Sequence, residues 1–381
     1  MARNREFYKG RRKRRNWALI PFAAVLGLLG LLVVLFYSMQ KYAVISKQGV
    51  EMVLTGTTAE DGSFVDLAEQ PRSFAPVDVD VIIDPPDYSR YTPVAGRDAK
   101  PVRAIYIEAA NVNTDYLMEM AARLSSGNAL MLEMKPREGA LVWESQAELA
   151  VKYGLYYQSA LSTDMPALIQ SVKDYASEHD KEIYLVAQIS CCIDSLLPVR
   201  TTSYTLRTEA GWDYRDDKGT YLDPYSVDIR NYIAELCREL YAMGFDEVAL
   251  ADVIHPSPED NTTGFLYTAE MSTQPSPITA VCGFAVYLAD QLADEEGLLS
   301  IYLDTPRSLV GADEATGQDG VLFSKLYDRL YYRTDRWTYT YNLQDMEPTI
   351  VLGNLTDRLV PVVINYLPEN SSWVYIEQLA D

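Results

Sequence analysis

The sequence has few histidine and cysteine residues, the side chains that most often bind zinc and other transition metals. Its 381 residues include two histidines, His179 and His255, and four cysteines, and none of them has the spacing of a metal site. We therefore predict no metal and no cofactor. The phosphate-binding patterns G-x-G-x-x-G and G-x-x-x-x-G-K-[ST] and the serine-hydrolase pattern G-x-S-x-G are also missing, which argues against a nucleotide-binding sheet and a serine nucleophile.

Positive charge is scarce as well. The chain has 33 Lys and Arg residues against 54 Asp and Glu residues, a formal net charge of −21. Residues 1–16 hold eight of the basic residues and one acid, so the other 365 residues hold 25 basic and 53 acidic ones, a charge of −28. A surface this acidic repels polyanions, and we predict that nucleic acid is not a partner.

One long run lacks charged residues altogether. It extends from Trp17 to Tyr37 and is long enough to cross a hydrocarbon core of about 30 Å. A strongly basic flank such as residues 1–16 stays in the cytoplasm. We predict a single-pass protein of the cell membrane, with a cytoplasmic basic tail (1–16), a transmembrane helix (17–37) and an extracytoplasmic C-terminal part. The alternative is a cleaved secretory signal, which normally has a shorter apolar region and a small-residue cleavage site.

The residues after the predicted membrane span divide into two parts with different sequence patterns. Residues 38–100 form a predicted stem or linker, in which short apolar pieces alternate with turn residues and Pro85-Pro86 interrupts helix and sheet. From residue 101 to residue 381, short apolar runs alternate with longer amphipathic segments, as in parallel strands joined by helices. The predicted strands are Ala104–Glu108, Ala129–Met134, Glu182–Ile189, Glu247–Ile254, Leu299–Asp304, Trp337–Tyr341 and Val360–Tyr366.

Five segments between these strands have apolar residues at helical spacing. They are Asp115–Leu124, Pro166–Glu178, Val227–Met243, Ile278–Ala293 and Leu322–Tyr331. An α/β domain of this size with seven recognisable strands fits a (β/α)₈ TIM barrel with an eighth strand still to be placed. An open doubly wound sheet is the alternative, and the missing phosphate-binding turn makes us favour the barrel.

Carboxylates lie at or just beyond the ends of several apolar runs in the predicted strands. They are Glu108, Glu133, Asp194, Asp252 and Asp304. Barrel enzymes carry their reacting groups at the C-terminal ends of the strands. Cleavage of a glycosidic bond requires one carboxylic acid that protonates the leaving oxygen and one carboxylate that acts as nucleophile or base. Each acid also has a structural interpretation, because Asp and Glu at strand ends often cap the next helix.

Two further residue types favour a carbohydrate site. Trp212 is one of many aromatic residues in predicted loops, and sugar rings stack on such flat faces. His255 follows the fourth predicted strand, where it either lines a pocket or is a satisfied loop histidine.

Several landmarks resemble one family in the order in which they occur. They are Asn128–Lys135, Ile183–Ile189 followed by Asp194, Trp212-Asp213, Asp223-Pro224-Tyr225, Gly244–Val248, Ala251–Pro256 and Thr316–Asp319. Together they resemble the putative glycosyl hydrolase domain, a barrel-type domain of bacterial and archaeal proteins. The resemblance implies a barrel and adds Lys135 and the position of Gln188 to the candidate site.

The departures from that pattern suggest an alternative. Gln188 and His255 stand where the family has arginine, and arginine beside a carboxylate holds it ionised. We therefore expect either a glycoside hydrolase acting on a cell-envelope or extracellular polysaccharide, or an inactive barrel that binds a glycan or a protein. The predicted catalytic residues are Asp252 with Glu133 or Asp304. The predicted substrate-binding residues are Asp194, His255, Lys135, Glu108, Trp212 and Gln188.

Overall fold

The computed structural model describes residues 43–46, 49–52, 100–124, 127–257, 264–267, 275–334, 358–365 and 371–377. The chain divides into two compact units, Met1–Asp84 and Pro85–Asp381. In the first unit, strands Ala43–Ser46 and Gly49–Met52 pair as an antiparallel hairpin.

The second unit is built on a closed barrel of eight parallel strands. Each strand pairs with its neighbours in chain order, and the last pairs with the first, as Val374 does with Ala104. This closure confirms the predicted barrel and excludes the open sheet. The strands are β1 (Arg103–Ile107), β2 (Ala129–Lys135), β3 (Tyr184–Ser190), β4 (Glu247–Ala251), β5 (Leu298–Leu303), β6 (Arg329–Arg333), β7 (Leu359–Ile364) and β8 (Trp373–Ile376).

Helices connect the strands, and most of the longer ones begin at a side-chain cap that accepts a hydrogen bond from a free backbone N–H. Asn113, Asp164, Ser226, Ser276 and Asp319 are these caps. The helices are α1 (Thr114–Arg123), α2 (Glu148–Tyr153), α3 (Met165–Glu178), α4 (Leu197–Arg200), α5 (Val227–Ala242), α6 (Pro277–Gln291) and α7 (Gly320–Leu326).

The last part of the barrel differs from the prediction. The helix predicted at Leu322–Tyr331 is wrong in its second half, because α7 ends at Leu326 and β6 begins at Arg329. Side chains in β6 alternate: Leu330 packs outward among the helices, whereas Tyr331 packs inside the barrel. This two-residue period is too short to stand out beside the helical pattern that precedes it. The eighth strand is β8, which the sequence did not reveal, and the predicted strand Trp337–Tyr341 lies outside the described residues.

Two apolar layers hold the barrel together. The larger lies between the strands and the helices, and the smaller fills the interior of the barrel. In the interior, the rings of Tyr302 and Tyr331 stack with centroids 5.2 Å apart, among small residues such as Ala104 and Ala249. The interior is therefore packed with side chains, as expected for eight strands. All four cysteines are buried and free.

A polar network closes the N-terminal end of the barrel. Glu247 of β4 and Arg329 of β6 form an ion pair 3.0 Å long, and both side chains are 0% exposed. The hydroxyls of Ser300, Tyr331 and Tyr184 also donate hydrogen bonds to the Glu247 carboxylate, at 2.6, 2.8 and 2.9 Å. Because this end of a TIM barrel serves stability and not chemistry, we assign the network a structural role.

The predicted membrane span falls on residues 17–37, outside the described residues. Within the described part of the chain, no helix combines the length and the apolar character needed to cross a bilayer.

Candidate active site

A cavity of about 350 Å³ lies where strands β2 to β6 end at the C-terminal mouth of the barrel. Its wall contains four carboxylates, from Glu133, Glu138, Asp252 and Asp304, and three cations, from Arg137, Lys218 and Arg333. Gln188, Ser190 and Tyr302 lie between them. The structure thus brings the three predicted catalytic acids, Asp252, Glu133 and Asp304, into one cavity.

Asp252 follows directly after β4 and is the most firmly held of these acids. Its side chain is 5% exposed, and Arg137 makes a forked contact with it, with Nε 3.0 Å from both carboxylate oxygens and Nη2 2.5 Å from Oδ1. The Ser190 hydroxyl donates to Oδ2 at 2.7 Å. A guanidinium fork and a hydroxyl donor stabilise the ionised carboxylate.

The backbone of Asp252 has a φ of 54°, in the left-handed region that non-glycine residues seldom occupy. Aspartate and asparagine tolerate this conformation best, because their short polar side chains can bond locally. Such backbone conformations persist where the surrounding structure holds them, and they cluster at functional sites.

Arg137 is the residue that the sequence analysis missed. In the sequence, Gln188 and His255 stand where the family pattern has arginines, and no other arginine was identified that could pair with Asp252. Arg137 lies two residues after β2 and reaches the end of β4 across the mouth of the barrel. Its place just beyond β2, four residues after the carboxylate of Glu133, was the available signal.

Asp304 directly follows β5 and faces the same cavity. Burial and the nearby charge of Asp252 raise the pKa of its carboxyl to about 6, although Lys218 and Arg137 act in the opposite direction. The Gln318 amide donates to Oδ2 of Asp304 at 2.9 Å. Asp304 therefore keeps its proton to a higher pH than an ordinary aspartate, whereas the carboxylate of Asp252 is bound by a guanidinium and a hydroxyl. Two acids in such unlike surroundings suit the roles of a general acid and its partner carboxylate.

Glu133 is the third acid in the cavity. Its carboxylate accepts a hydrogen bond from the Ala109 N–H at 3.0 Å, and burial raises its pKa. Beside it, the Tyr106 hydroxyl donates to Oε1 of Gln188 at 2.8 Å, which fixes the orientation of that amide on the cavity wall. Gln188 therefore presents polar groups to a bound molecule.

Lys135 and Asp194 lie beneath the cavity and do not line it. They form an ion pair 2.9 Å long with both side chains 0% exposed. Lys135 also donates to the carbonyl of Ser190 at 2.9 Å, and Asp194 accepts from the N–H groups of Leu196 and Leu197 at the start of α4. The pair supports the segment that carries Ser190.

The loop that carries Arg137 rests on the same pair. Gly139 has a φ of +90°, and a Cβ at this position would lie 2.0 Å from Oδ1 of Asp194. The N–H of Ser195 donates to the carbonyl of Arg137 at 3.0 Å. Only glycine fits this close approach, so the chain around Asp194 sets the position of the Arg137 loop.

The other three predicted binding residues do not line the cavity either. His255 is buried against Phe265, and burial lowers its pKa to about 4, so its ring is neutral. Its Nδ1 donates to the carbonyl of Pro256 at 2.8 Å, and its Nε2 accepts from the Tyr267 hydroxyl at 3.1 Å. Trp212 lies in a loop with 75% of its surface exposed. Glu108 is exposed at the start of a short 3₁₀ helix, Ala109–Asn111.

No cluster of three or more His, Cys, Asp or Glu side chains in the described part of the chain is arranged to hold a metal ion.

Comparisons with known proteins agree with this architecture. The model of the putative glycosyl hydrolase domain matches residues 104–330. No curated protein matches the chain significantly. Among solved structures, the PgaB (BpsB) glycoside hydrolase domain from Bordetella bronchiseptica is 13% identical with a TM-score of 0.51, over 72% of this chain and 93% of that one. A hypothetical protein from Ruminiclostridium thermocellum is 20% identical with a TM-score of 0.42, over 52% and 96%.

Proposed function

The chain belongs to the putative glycosyl hydrolase domain family, and from this premise we propose that it is a glycoside hydrolase acting on a cell-envelope or extracellular polysaccharide. The observation that carries the proposal is the pair of unlike acids in one cavity. Asp252 is bound by a guanidinium and a hydroxyl, whereas the pKa of Asp304 is raised to about 6.

In the proposed reaction, neutral Asp304 donates its proton to the glycosidic oxygen as the bond between that oxygen and the anomeric carbon breaks. Ionised Asp252 either attacks the anomeric carbon or removes a proton from the water that does so. If Asp252 attacks, water then displaces it from the anomeric carbon, supplies the new hydroxyl of the sugar and gives its proton back to the Asp304 carboxylate. If Asp252 acts as the base, the water it deprotonates supplies the hydroxyl, that proton passes on to solvent, and Asp304 takes a proton from solvent. Glu133 and Gln188 line the same cavity and would hold sugar hydroxyls.

The pH dependence of kcat/KM tests this assignment. Asp304 must be protonated to act as an acid, and its pKa is about 6, so kcat/KM should fall as pH rises through about 6. The measurement is the release of reducing ends from envelope polysaccharide between pH 4 and pH 9. Asp304→Asn, which has no acidic proton to donate, should lose both the activity and the fall of kcat/KM at basic pH. A wild-type profile that stays flat up to pH 8 would remove Asp304 from this role.

A second candidate function is glycan binding without turnover. The observation that favours it is that both carboxylate oxygens of Asp252 already accept hydrogen bonds, from Arg137 and Ser190. If this alternative holds, immobilised polysaccharide retains the protein while reducing ends stay at background over the whole pH range. Release of reducing ends above background would exclude it.

We also propose that residues 17–37 anchor the protein in the cell membrane with the barrel outside the cytoplasm. The support is the uncharged run and its basic flank. Deletion of residues 1–37 should move the protein from the membrane fraction to the soluble fraction. In intact cells with a permeable envelope, added protease should cleave the full-length barrel domain. A full-length chain found in the soluble fraction, or protected from protease, would contradict this placement.

A further inference from the structure

Gln318 contacts the backbone beside each of the two acids, at the ends of β4 and β5. Its side chain is 0% exposed. Oε1 accepts a hydrogen bond from the backbone N–H of Asp304 at 2.9 Å, and Nε2 lies 2.9 Å from Oδ2 of the same residue. Nε2 also lies 3.0 Å from the carbonyl of Tyr302 and 3.2 Å from the carbonyl of Val253, the residue after Asp252.

From these contacts we propose that Gln318 is a positioning residue, which fixes Asp304 against the end of β4 and sets the pH at which Asp304 releases its proton. The inference rests on the proposed function for its meaning in catalysis. The effect of Gln318 on the pKa of Asp304 does not depend on that function.

The orientation of the amide follows from its partners. The backbone N–H of Asp304 can only donate, so the atom of Gln318 that faces it at 2.9 Å is the oxygen. The NH₂ group therefore faces the carboxyl of Asp304 and the two carbonyls, of Tyr302 and Val253.

The NH₂ group has two protons for these three acceptors. A carboxylate oxygen accepts more strongly than a neutral carboxyl oxygen, so the contact with Asp304 strengthens when Asp304 loses its proton. Gln318 therefore favours the ionised form, whereas burial of Asp304 favours the neutral form. Loss of the amide should raise the pKa of Asp304 above its present value.

The backbone around Gln318 is built for this contact. Gly317 has a φ of +76°, and a Cβ there would lie 2.4 Å from the carbonyl oxygen of Pro277. The N–H of Asp313 donates to the carbonyl of Gln318 at 2.7 Å, and Asp319 caps α7 immediately afterwards. Gln318 thus stands between two fixed points and has little freedom to move away from Asp304.

Other charged groups also act on Asp304. Asp252 at the end of β4 raises its pKa, and Arg137 after β2 and Lys218 in the turn between Arg215–Asp216 and Gly219–Thr220 lower it. The remaining charged groups in the cavity wall are Glu133, Glu138 and Arg333. None of these side chains is changed by a substitution at Gln318, so a shift in that variant reports on the amide.

The test is Gln318→Met, which keeps the length of the side chain and removes the amide. We expect the pKa of Asp304 to rise by about one unit, as for the loss of one hydrogen bond to a carboxylate. The basic limb of kcat/KM should move upward by the same amount. The matched control is Gln170→Met, because Gln170 donates to Asp174 at 2.7 Å on the exposed face of α3, and its loss should leave the limb unmoved.

Titration of the Asp304 carboxyl by ¹³C NMR in the full chain gives a readout that needs no turnover, with Asp304→Asn identifying the signal. A raised pKa in a chain without hydrolysis would support the positioning role and refute the proposed function. Hydrolysis with an unshifted or lowered pKa would do the reverse. If Gln318→Met does not fold, Gln318→Leu, which also removes the amide without adding a charge, should raise the pKa as well, and an unchanged value there would overturn the inference.

Discussion

Asp252→Asn should lower kcat/KM for glycan hydrolysis by at least about 10³-fold while the barrel stays folded. The amide has the shape of the carboxylate but lacks its charge, so it can neither attack the anomeric carbon nor take a proton from water. Asparagine also tolerates the left-handed backbone of Asp252, which has a φ of 54°. The measurement is reducing-end release at pH 5, where Asp304 is largely protonated.

Two controls separate chemistry from folding in that experiment. Asp290→Asn makes the same chemical change on the exposed end of α6 and should leave the rate unchanged. Thermal unfolding of Asp252→Asn should occur within a few degrees of the wild type. Undiminished hydrolysis by folded Asp252→Asn would exclude Asp252 from the mechanism.

The second large effect is on stability. Glu247→Leu should lower the free energy of unfolding by about 3–5 kcal/mol, because it leaves the Arg329 guanidinium buried without its carboxylate. Arg329 is 0% exposed, and three hydroxyls lose their acceptor at the same time. Domains of ordinary stability have about 5–15 kcal/mol in total, so the variant should unfold at much lower denaturant concentration. Urea unfolding followed by circular dichroism measures the change.

The double variant Glu247→Leu with Arg329→Met is the critical comparison. Removing both charges leaves no unpaired ion in the floor of the barrel, so most of the lost stability should return. If Glu247→Leu alone lowers the free energy of unfolding by less than about 1 kcal/mol, water or another group must solvate Arg329. The polar network would then not seal the N-terminal end of the barrel from water.

The fold was predictable to the extent that local patterns specify it. Continuous apolar runs such as Ala129–Met134 indicate strands buried on both faces, and the stripe in Val227–Met243 indicates a helix packed on one face. β6 was missed because its alternation spans only five residues, and the inward position of Arg329 is explained by a partner, Glu247, 82 residues away. A buried arginine looks like a surface residue until that partner is known.

The candidate site was predictable only in part, for a related reason. Acids at strand ends are visible in a sequence, and a closed barrel brings strand ends together, so Asp252, Asp304 and Glu133 could be selected in advance. Which acids face the cavity depends on side-chain direction and on the loops. Asp194 follows a strand as Asp252 does, yet it is buried in an ion pair with Lys135.

By itself, the sequence determined the alternation of strands and helices, the family of the barrel domain and the strand-end position of its acids, because each depends on spacing along the chain. The tertiary structure decided the state of those acids, because that depends on groups distant in sequence. Arg137 reaches Asp252 across a separation of 115 residues and supplies the guanidinium that the local pattern lacks. The pKa values of the acids in the cavity depend on the closed barrel, because it brings these distant groups together.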